Sequence, residues 1–321
     1  MQPQPEQIRA LKRQLSDYLP ETPVMRCHEL EDELGSSAEV FAKLEFLQRT
    51  GTFKARGALS DILNLTQAQR DAGVTAVSAG NHAVAVAFAA QVTGVNAKVV
   101  MTATANPERV ARARGFGANV VFADGVHEAF DTVARITEDE GRYLVHPFEG
   151  ERIALGTATL GLEIMEQVPG AELLIVPVGG GGLCAGIASA ARALNPACEI
   201  VAVEPEGADS MYRSIQAGSP QTLPSVDTIA DSLGAPFAMP YSFELCRQNV
   251  DDFVRVPDSA IRAAMRFLFQ RLNIAVEPAC AATTAALLGP LRERALNRRV
   301  AILFCGSNID WQSFAEFSEM T

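Results

Sequence analysis

A strand–turn–helix unit recurs along this chain and limits its fold more than any other feature. Val74 to Val77 is a short, mostly β-branched run that ends at Ser78-Ala79-Gly80-Asn81, a turn and cap cluster. An Ala-rich helix is expected from about His82 to Thr93, stopped by Gly94. Lys98 to Met101, Asn119 to Phe122 and Tyr143 to Val145 read as further strands, with helices from Pro107 to Phe116 and from Glu128 to Glu140. A second set follows His146-Pro147-Phe148. It has helices from Ala154 to Gln167 and from Leu183 to Leu194, and strands from Leu173 to Val178 and from Ile200 to Val203. Asp258 to Leu272 sets Ile261, Met265, Leu268 and Leu272 on one helical face. An Ala-rich helix from Pro278 to Leu288 and a strand from Val300 to Phe304 complete the pattern. Short apolar strands alternating with helices call for parallel sheets covered by helices. The expectation is an α/β chain of two lobes with open sheets, flanking helices and a cleft between them. The small lobe spans 73–147; the large one is discontinuous, 1–72 and 148–321. The stretch 207–257, with many Pro and Ser, reads as irregular and as a candidate lid or interface.

Charge and cysteine usage narrow the function classes. The 321 residues carry 38 Asp plus Glu against 27 Lys plus Arg, a net charge of −11 without a basic cluster. That balance excludes a nucleic-acid or anionic-membrane binder. The six cysteines form no CxxC pair and no histidine stands at zinc-finger spacing, so buried thiols are expected rather than disulfides or structural zinc. The first residues lack the apolar core of a signal peptide, and no apolar run approaches the ~18–20 residues of a membrane span. The expected location is cytoplasmic.

Two segments carry chemistry. Gly179-Gly180-Gly181-Gly182-Leu183 stands between an expected strand and an expected helix. A glycine run there presents several N–H groups together with the positive end of the helix, which suits a phosphate; a tight turn without a ligand is the alternative. Glu204 follows at the distance of the ribose-binding acid in a dinucleotide fold, so a nicotinamide oxidoreductase is a second class to weigh. The glycines do not fall as GxGxxG, however, and a single phosphate fits them better. Only four lysines exist: Lys12, Lys43, Lys54 and Lys98. Lys12 reads as solvated on an amphipathic helix, Lys43 as carboxylate-paired on a half-exposed strand, and Lys98 as a strand opener. Lys54 stands in Thr52-Phe53-Lys54-Ala55-Arg56-Gly57-Ala58, where Arg56 and partial burial would lower its pKa and make the amine nucleophilic. A solvated loop lysine is the other reading.

That segment resembles the lysine motif Ser/Thr-Phe-Lys-x-Arg-Gly-Ala of fold-type II pyridoxal-phosphate enzymes, the threonine and serine dehydratases and serine racemases. Other segments resemble the family's motifs in order: Thr22-Pro23, Ser78 to His82, Gly179 to Leu183, Glu277-Pro278-Ala279 and Cys305-Gly306-Ser307-Asn308. The resemblance implies the two-lobed fold of the tryptophan-synthase β type, with pyridoxal 5'-phosphate as cofactor and a homodimer or homotetramer as assembly. It implies that Lys54 bonds the cofactor and later moves the Cα proton, and that Phe53 packs beside the ring. Asn81 would meet the ring hydroxyl oxygen, and N–H groups of Gly179, Gly180, Gly181, Gly182 and Leu183 would hold the phosphate. Cys305 would face the ring nitrogen where relatives carry Ser or Thr. The loop Ser78, Ala79, Gly80, Asn81 and His82 would bind the substrate carboxylate, with no chemical role for the His82 imidazole. A divalent cation, Mg or Ca, is expected on Glu204 and the Ala208 carbonyl, although Ser210 replaces the family's Asp.

The implied activity is β-elimination of L-serine, L-threonine or a related 3-hydroxy amino acid to a 2-oxo acid and ammonia. Racemisation needs a second proton carrier; in serine racemase it is a Ser in the asparagine loop, and Ala79 stands at that place. Gly156-Thr157-Ala158-Thr159 and Ala230-Asp231-Ser232 depart from the family pattern. They point to a pocket reshaped for another substrate, such as hydroxyaspartate, phenylserine or a hydroxyectoine-derived one. The chain ends shortly after Asn308, so feedback through a C-terminal regulatory domain is not expected.

Overall fold

The computed structural model describes every residue except Met1, Ser36, Ala79, Met320 and Thr321. In chain order its strands are β1 (Val24–Arg26), β2 (Glu39–Leu44), β3 (Val74–Val77), β4 (Ala97–Thr102), β5 (Asn119–Ala123), β6 (Tyr143–Leu144), β7 (Leu173–Pro177), β8 (Glu199–Pro205), β9 (Asp252–Val256) and β10 (Arg299–Phe304). Six build one sheet in the order β1-β2-β10-β7-β8-β9, and four build a second in the order β5-β4-β3-β6. β1 runs antiparallel to β2; the other described pairings are parallel. The central strand β7 is apolar throughout because helices cover both faces: all five of its residues, Leu-Leu-Ile-Val-Pro, are buried.

Each sheet organises its own core. The core of the smaller sheet also takes Ala55, Leu59 and Ile62 from the helix Lys54–Leu63, and Leu11 and Leu15 from the helix Pro5–Leu15. The helix that begins at Lys54 therefore packs on the small lobe's helix Asn81–Thr93 and equally on the large lobe's helix Glu151–Gln167. Gly156 permits the second contact, since a Cβ there would lie 2.5 Å from the Arg56 carbonyl oxygen.

Two expectations are corrected. The stretch 207–257 is not irregular throughout: it holds the helices Ser210–Ala217 and Pro240–Asn249 and the edge strand β9. β9 is short and carries Arg255 between apolar residues, which hides it in the sequence. Lys43 is carboxylate-paired but fully buried rather than half-exposed. Its Nζ lies 2.6 Å from Glu163 Oε2 and donates to the Thr22 carbonyl at 2.6 Å. Arg56 joins the same network, bridging Glu163 at 2.7 Å and Glu45 at 2.8 Å. Among the described residues no helix is long and apolar enough to cross a membrane.

Candidate active site

The loops with the expected chemistry leave the C-terminal ends of parallel strands, the usual place for a ligand in open α/β sheets. Lys54 follows the loop after β2, Ser78 to Asn81 follow β3, the glycine run follows β7, and Cys305 follows β10. Phe53, Lys54, Asn81, Gly179, Gly180, Gly181, Gly182, Leu183 and Cys305 all line one narrow space. Lys54, Ser78, Gly80, Asn81 and His82 also line an adjoining cavity of about 290 Å³ in the interlobe cleft. Ala79 lies outside the described residues.

Lys54 Nζ donates to the Pro147 carbonyl at 2.7 Å and sits 5.3 Å from the Phe53 ring centroid. Loss of bulk water lowers its pKa to about 8, against opposing effects of Cys305 and Glu277. The expected perturber, Arg56, has no part in this. Residues two apart on a helix do not share a face, and Arg56 is tied to Glu45 and Glu163.

Asn81 is pinned at both amide atoms. Its Nδ2 donates to Glu277 at 2.9 Å and to Ser232 Oγ at 3.1 Å, and its Oδ1 accepts from Asn308 Nδ2 at 2.8 Å. Burial raises the pKa of the Glu277 carboxyl. His82 is buried and lies 2.8 Å from the Val145 carbonyl oxygen; burial first, then the nearby Lys54, lower its pKa to about 3. The imidazole is neutral and held to backbone. The Cys305 thiol is held well above its ordinary pKa by a hydrogen bond with Cys280 and by burial. It is a neutral partner rather than a thiolate.

The glycine run is dictated by contact. A Cβ on Gly180 would meet the Phe148 ring at 2.2 Å, and one on Gly182 would meet the Phe148 carbonyl oxygen at 2.2 Å. Gly181 has φ +93°, in the region that favours glycine. Gly182 opens the helix Gly182–Leu194, so the loop presents its N–H groups with the positive end of that helix behind them. Thr157 Oγ1 donates to the Gly182 carbonyl at 2.7 Å. The departure at Thr157 thus lies against the glycine run, whereas Ser232 lines the cavity beside Lys54.

The carboxylate offered for a cation is engaged with backbone. Both Glu204 carboxylate oxygens accept backbone N–H groups, from Met211 at 2.9 Å and Tyr212 at 2.6 Å. They serve the first turn of the helix Ser210–Ala217, and burial pushes the Glu204 pKa up to about 8. With one backbone N–H on each oxygen and only 1% exposure, this carboxylate is directed at the helix start and away from a dinucleotide's ribose. Among the described residues no cluster of three or more His, Cys, Asp or Glu side chains could hold a metal ion. Pyridoxal phosphate, by contrast, fits what is present: a buried low-pKa amine, a glycine cradle at a helix start, and a pinned amide between them. Phe148, Arg109 and Phe130 are among the cavity residues that sequence reasoning did not assign to the site. They sit in ordinary-looking segments, and only the fold brings them to the cleft.

The chain belongs to the family described as pyridoxal-phosphate dependent enzyme, whose model matches residues 15–306. It is 52% identical over 308 residues to the phenylserine dehydratase of Ralstonia pickettii, covering 96% of this chain and 94% of that one. It is 36% identical to the L-threonine ammonia-lyase of Thermotoga maritima, covering 95% of this chain and 75% of that one. Maize serine racemase superposes with a TM-score of 0.93 at 35% identity, covering 98% of this chain and 97% of that chain. The fold is therefore that of the fold-type II pyridoxal-phosphate enzymes.

Proposed function

We propose that this chain eliminates water from a 3-hydroxy-L-amino acid whose β-carbon bears an apolar, ring-sized group, phenylserine being the representative. The products are the 2-oxo acid and ammonia. The lining of the cavity beside Lys54 carries this reading. Val77, Val100, Ala129, Phe130, Ala235 and Pro236 offer an apolar surface to the β-substituent. The charged pair on the same lining, Arg109 and Asp231, is bound to itself at 2.5 Å, so no free cation is left there for a β-carboxylate. The 52% identity to a phenylserine dehydratase supports the same substrate class.

Pyridoxal phosphate, when bound, supplies the electron withdrawal that loosens the Cα–H bond. The chain's own groups do the rest. Lys54 Nζ would hold the cofactor and is the group placed to take the Cα proton; its lowered pKa keeps a useful fraction neutral near pH 8. Phe53 would pack beside the cofactor ring and Asn81 would meet its hydroxyl oxygen. N–H groups of Gly179 to Leu183 would hold the phosphate. Cys305, a neutral thiol, would face the ring nitrogen as a weak donor that need not protonate it. The loop Ser78 to His82 receives the substrate carboxylate at the start of the helix Asn81–Thr93. Ala79, by its chemistry, cannot serve as a second proton carrier, so elimination outruns racemisation. The assembly expected is a homodimer or homotetramer, located in the cytoplasm.

The test is a comparison of kcat/KM for phenylserine, serine, threonine and 3-hydroxyaspartate, read as keto acid. Phenylserine is expected to lead. Phe130→Ser is expected to lower phenylserine turnover about tenfold, the value of one aromatic contact, and to leave serine unaffected. A lead for hydroxyaspartate would overturn the apolar assignment.

A further inference from the structure

The small lobe reaches the cofactor side of the cleft through one face of the helix Pro107–Gly115. Asn106, Arg109 and Arg112 are spaced by three and point the same way. Asn106 Nδ2 donates to Asp310 at 2.6 Å, and Arg112 donates to the Asn308 side chain. Arg109 stands between them and is 7% exposed. Its Nη1 lies 2.5 Å from Asp231 Oδ2, its Nε donates to the Asn308 carbonyl at 3.0 Å, and its Nη2 is 3.9 Å from Glu277. The same guanidinium leans on the substrate loop: a Cβ on Gly80 would come within 3.0 Å of Nη1. Beyond it lies a second, open groove of about 1180 Å³; Thr102, Arg109 and Asp231 line both this groove and the cavity beside Lys54.

We infer that Arg109 is a positioning residue that clamps the Gly80–Asn81 loop of the small lobe against the large lobe, and that its ion pair with Asp231 is the wall closing the substrate cavity from the outer groove. The carboxylates that act on Arg109, Asp231, Glu277 and Asp310, and the Asn308 carbonyl it donates to, all come from the large lobe. The helix that carries Arg109 thus fixes the distance between the carboxylate loop and the cofactor bed. Asp231 is the exposed half of the pair, 57% against 8% for Arg109, so the wall yields there first. A substrate held by a loop that this clamp sets loses affinity before it loses chemistry when the pair is weakened.

This inference rests on the proposed elimination only through the loop's role, and its test uses whichever 3-hydroxy amino acid the holoenzyme turns over fastest. Asp231→Asn keeps the shape and removes the charge. It is expected to raise KM about fivefold with kcat within twofold, as for a half-exposed pair. Salt near 1 M should raise the KM of the unaltered enzyme similarly and leave that of Asp231→Asn flat. Arg109→Met is expected to raise KM about twentyfold, since it removes the Asp231 pair, the Asn308 carbonyl contact and the cation beside the buried Glu277 together, with Arg109→Lys falling between. Acrylamide quenching of the bound cofactor's fluorescence should increase in Asp231→Asn and needs no turnover. An unchanged KM and unchanged quenching in both variants, or a change confined to melting temperature, would overturn the clamp and leave the elimination reading intact. Absence of keto acid from every substrate would overturn the elimination reading, and the quenching result would still decide the clamp.

Discussion

Lys54 was singled out from four lysines by its neighbours, yet the cause of its reactivity could not be read from them. The sequence offered Arg56, the nearest cation, as the group that lowers the amine pKa. In the folded chain Arg56 turns away to Glu45 and Glu163, and burial lowers Lys54 to about 8. The neutral amine is the form that attacks the cofactor, so its fraction rises as pH climbs through about 8 instead of near the ordinary ~10.4. The rate of cofactor attachment to the apo-enzyme is expected to follow that curve in stopped-flow absorbance. A midpoint near 10 would contradict burial as the cause. Cys305→Ser replaces one neutral weak donor by another. Its kcat is expected to stay within about threefold, a small change in transition-state energy, measured as keto-acid release.

At the scale of elements, strand and helix positions were legible because apolar runs and glycine stops are local signals. The helices Asp258–Leu272 and Pro278–Leu288 have the expected bounds, and the helix Gly182–Leu194 differs by one residue. β9 and the helices Ser210–Ala217 and Pro240–Asn249 were not legible, because Pro, Ser and charged residues interrupt their apolar pattern. The glycine loop was legible as an anion site, but Phe148 as the group that forbids side chains there was not. Gly182→Ala would drive a methyl into the Phe148 carbonyl, a contact of 2.2 Å with backbone. A weakening of cofactor binding by at least about a hundredfold is expected in an absorbance titration, since a misplaced phosphate nest loses several charge-assisted hydrogen bonds. Gly115→Ala, with open space around it, is the control and should bind normally. The network of Lys43, Arg56, Glu45 and Glu163 joins β2 to two helices. Glu163→Gln leaves Arg56 its pair with Glu45 but takes the ion-pair carboxylate from the buried Lys43, and is expected to cost about 3 kcal/mol in denaturant unfolding.

Across the whole molecule, the two lobes meet where charged groups of each end in the cleft, and the buried His82 and half-buried His146 stand at that meeting. Burial lowers the His82 pKa to about 3 and the His146 pKa to about 4. The unfolded chain binds these protons near the ordinary ~6.5 and the folded chain does not, so stability is intact above that pH and falls as pH drops toward 4. The His146 share is on the order of 3 kcal/mol. His146→Gln is expected to flatten the slope of melting temperature against pH in that window.

The central claim joins Lys54, its cofactor and an apolar substrate cavity in one elimination. It is tested most directly by mixing the holoenzyme with L-phenylserine and following phenylpyruvate and ammonia together. The account predicts equal amounts of both, a kcat/KM above those for serine and threonine, and loss of turnover in Lys54→Ala along with the borohydride-reducible absorbance. Interconversion of phenylserine enantiomers faster than keto-acid formation, or undiminished turnover in Lys54→Ala, would contradict it.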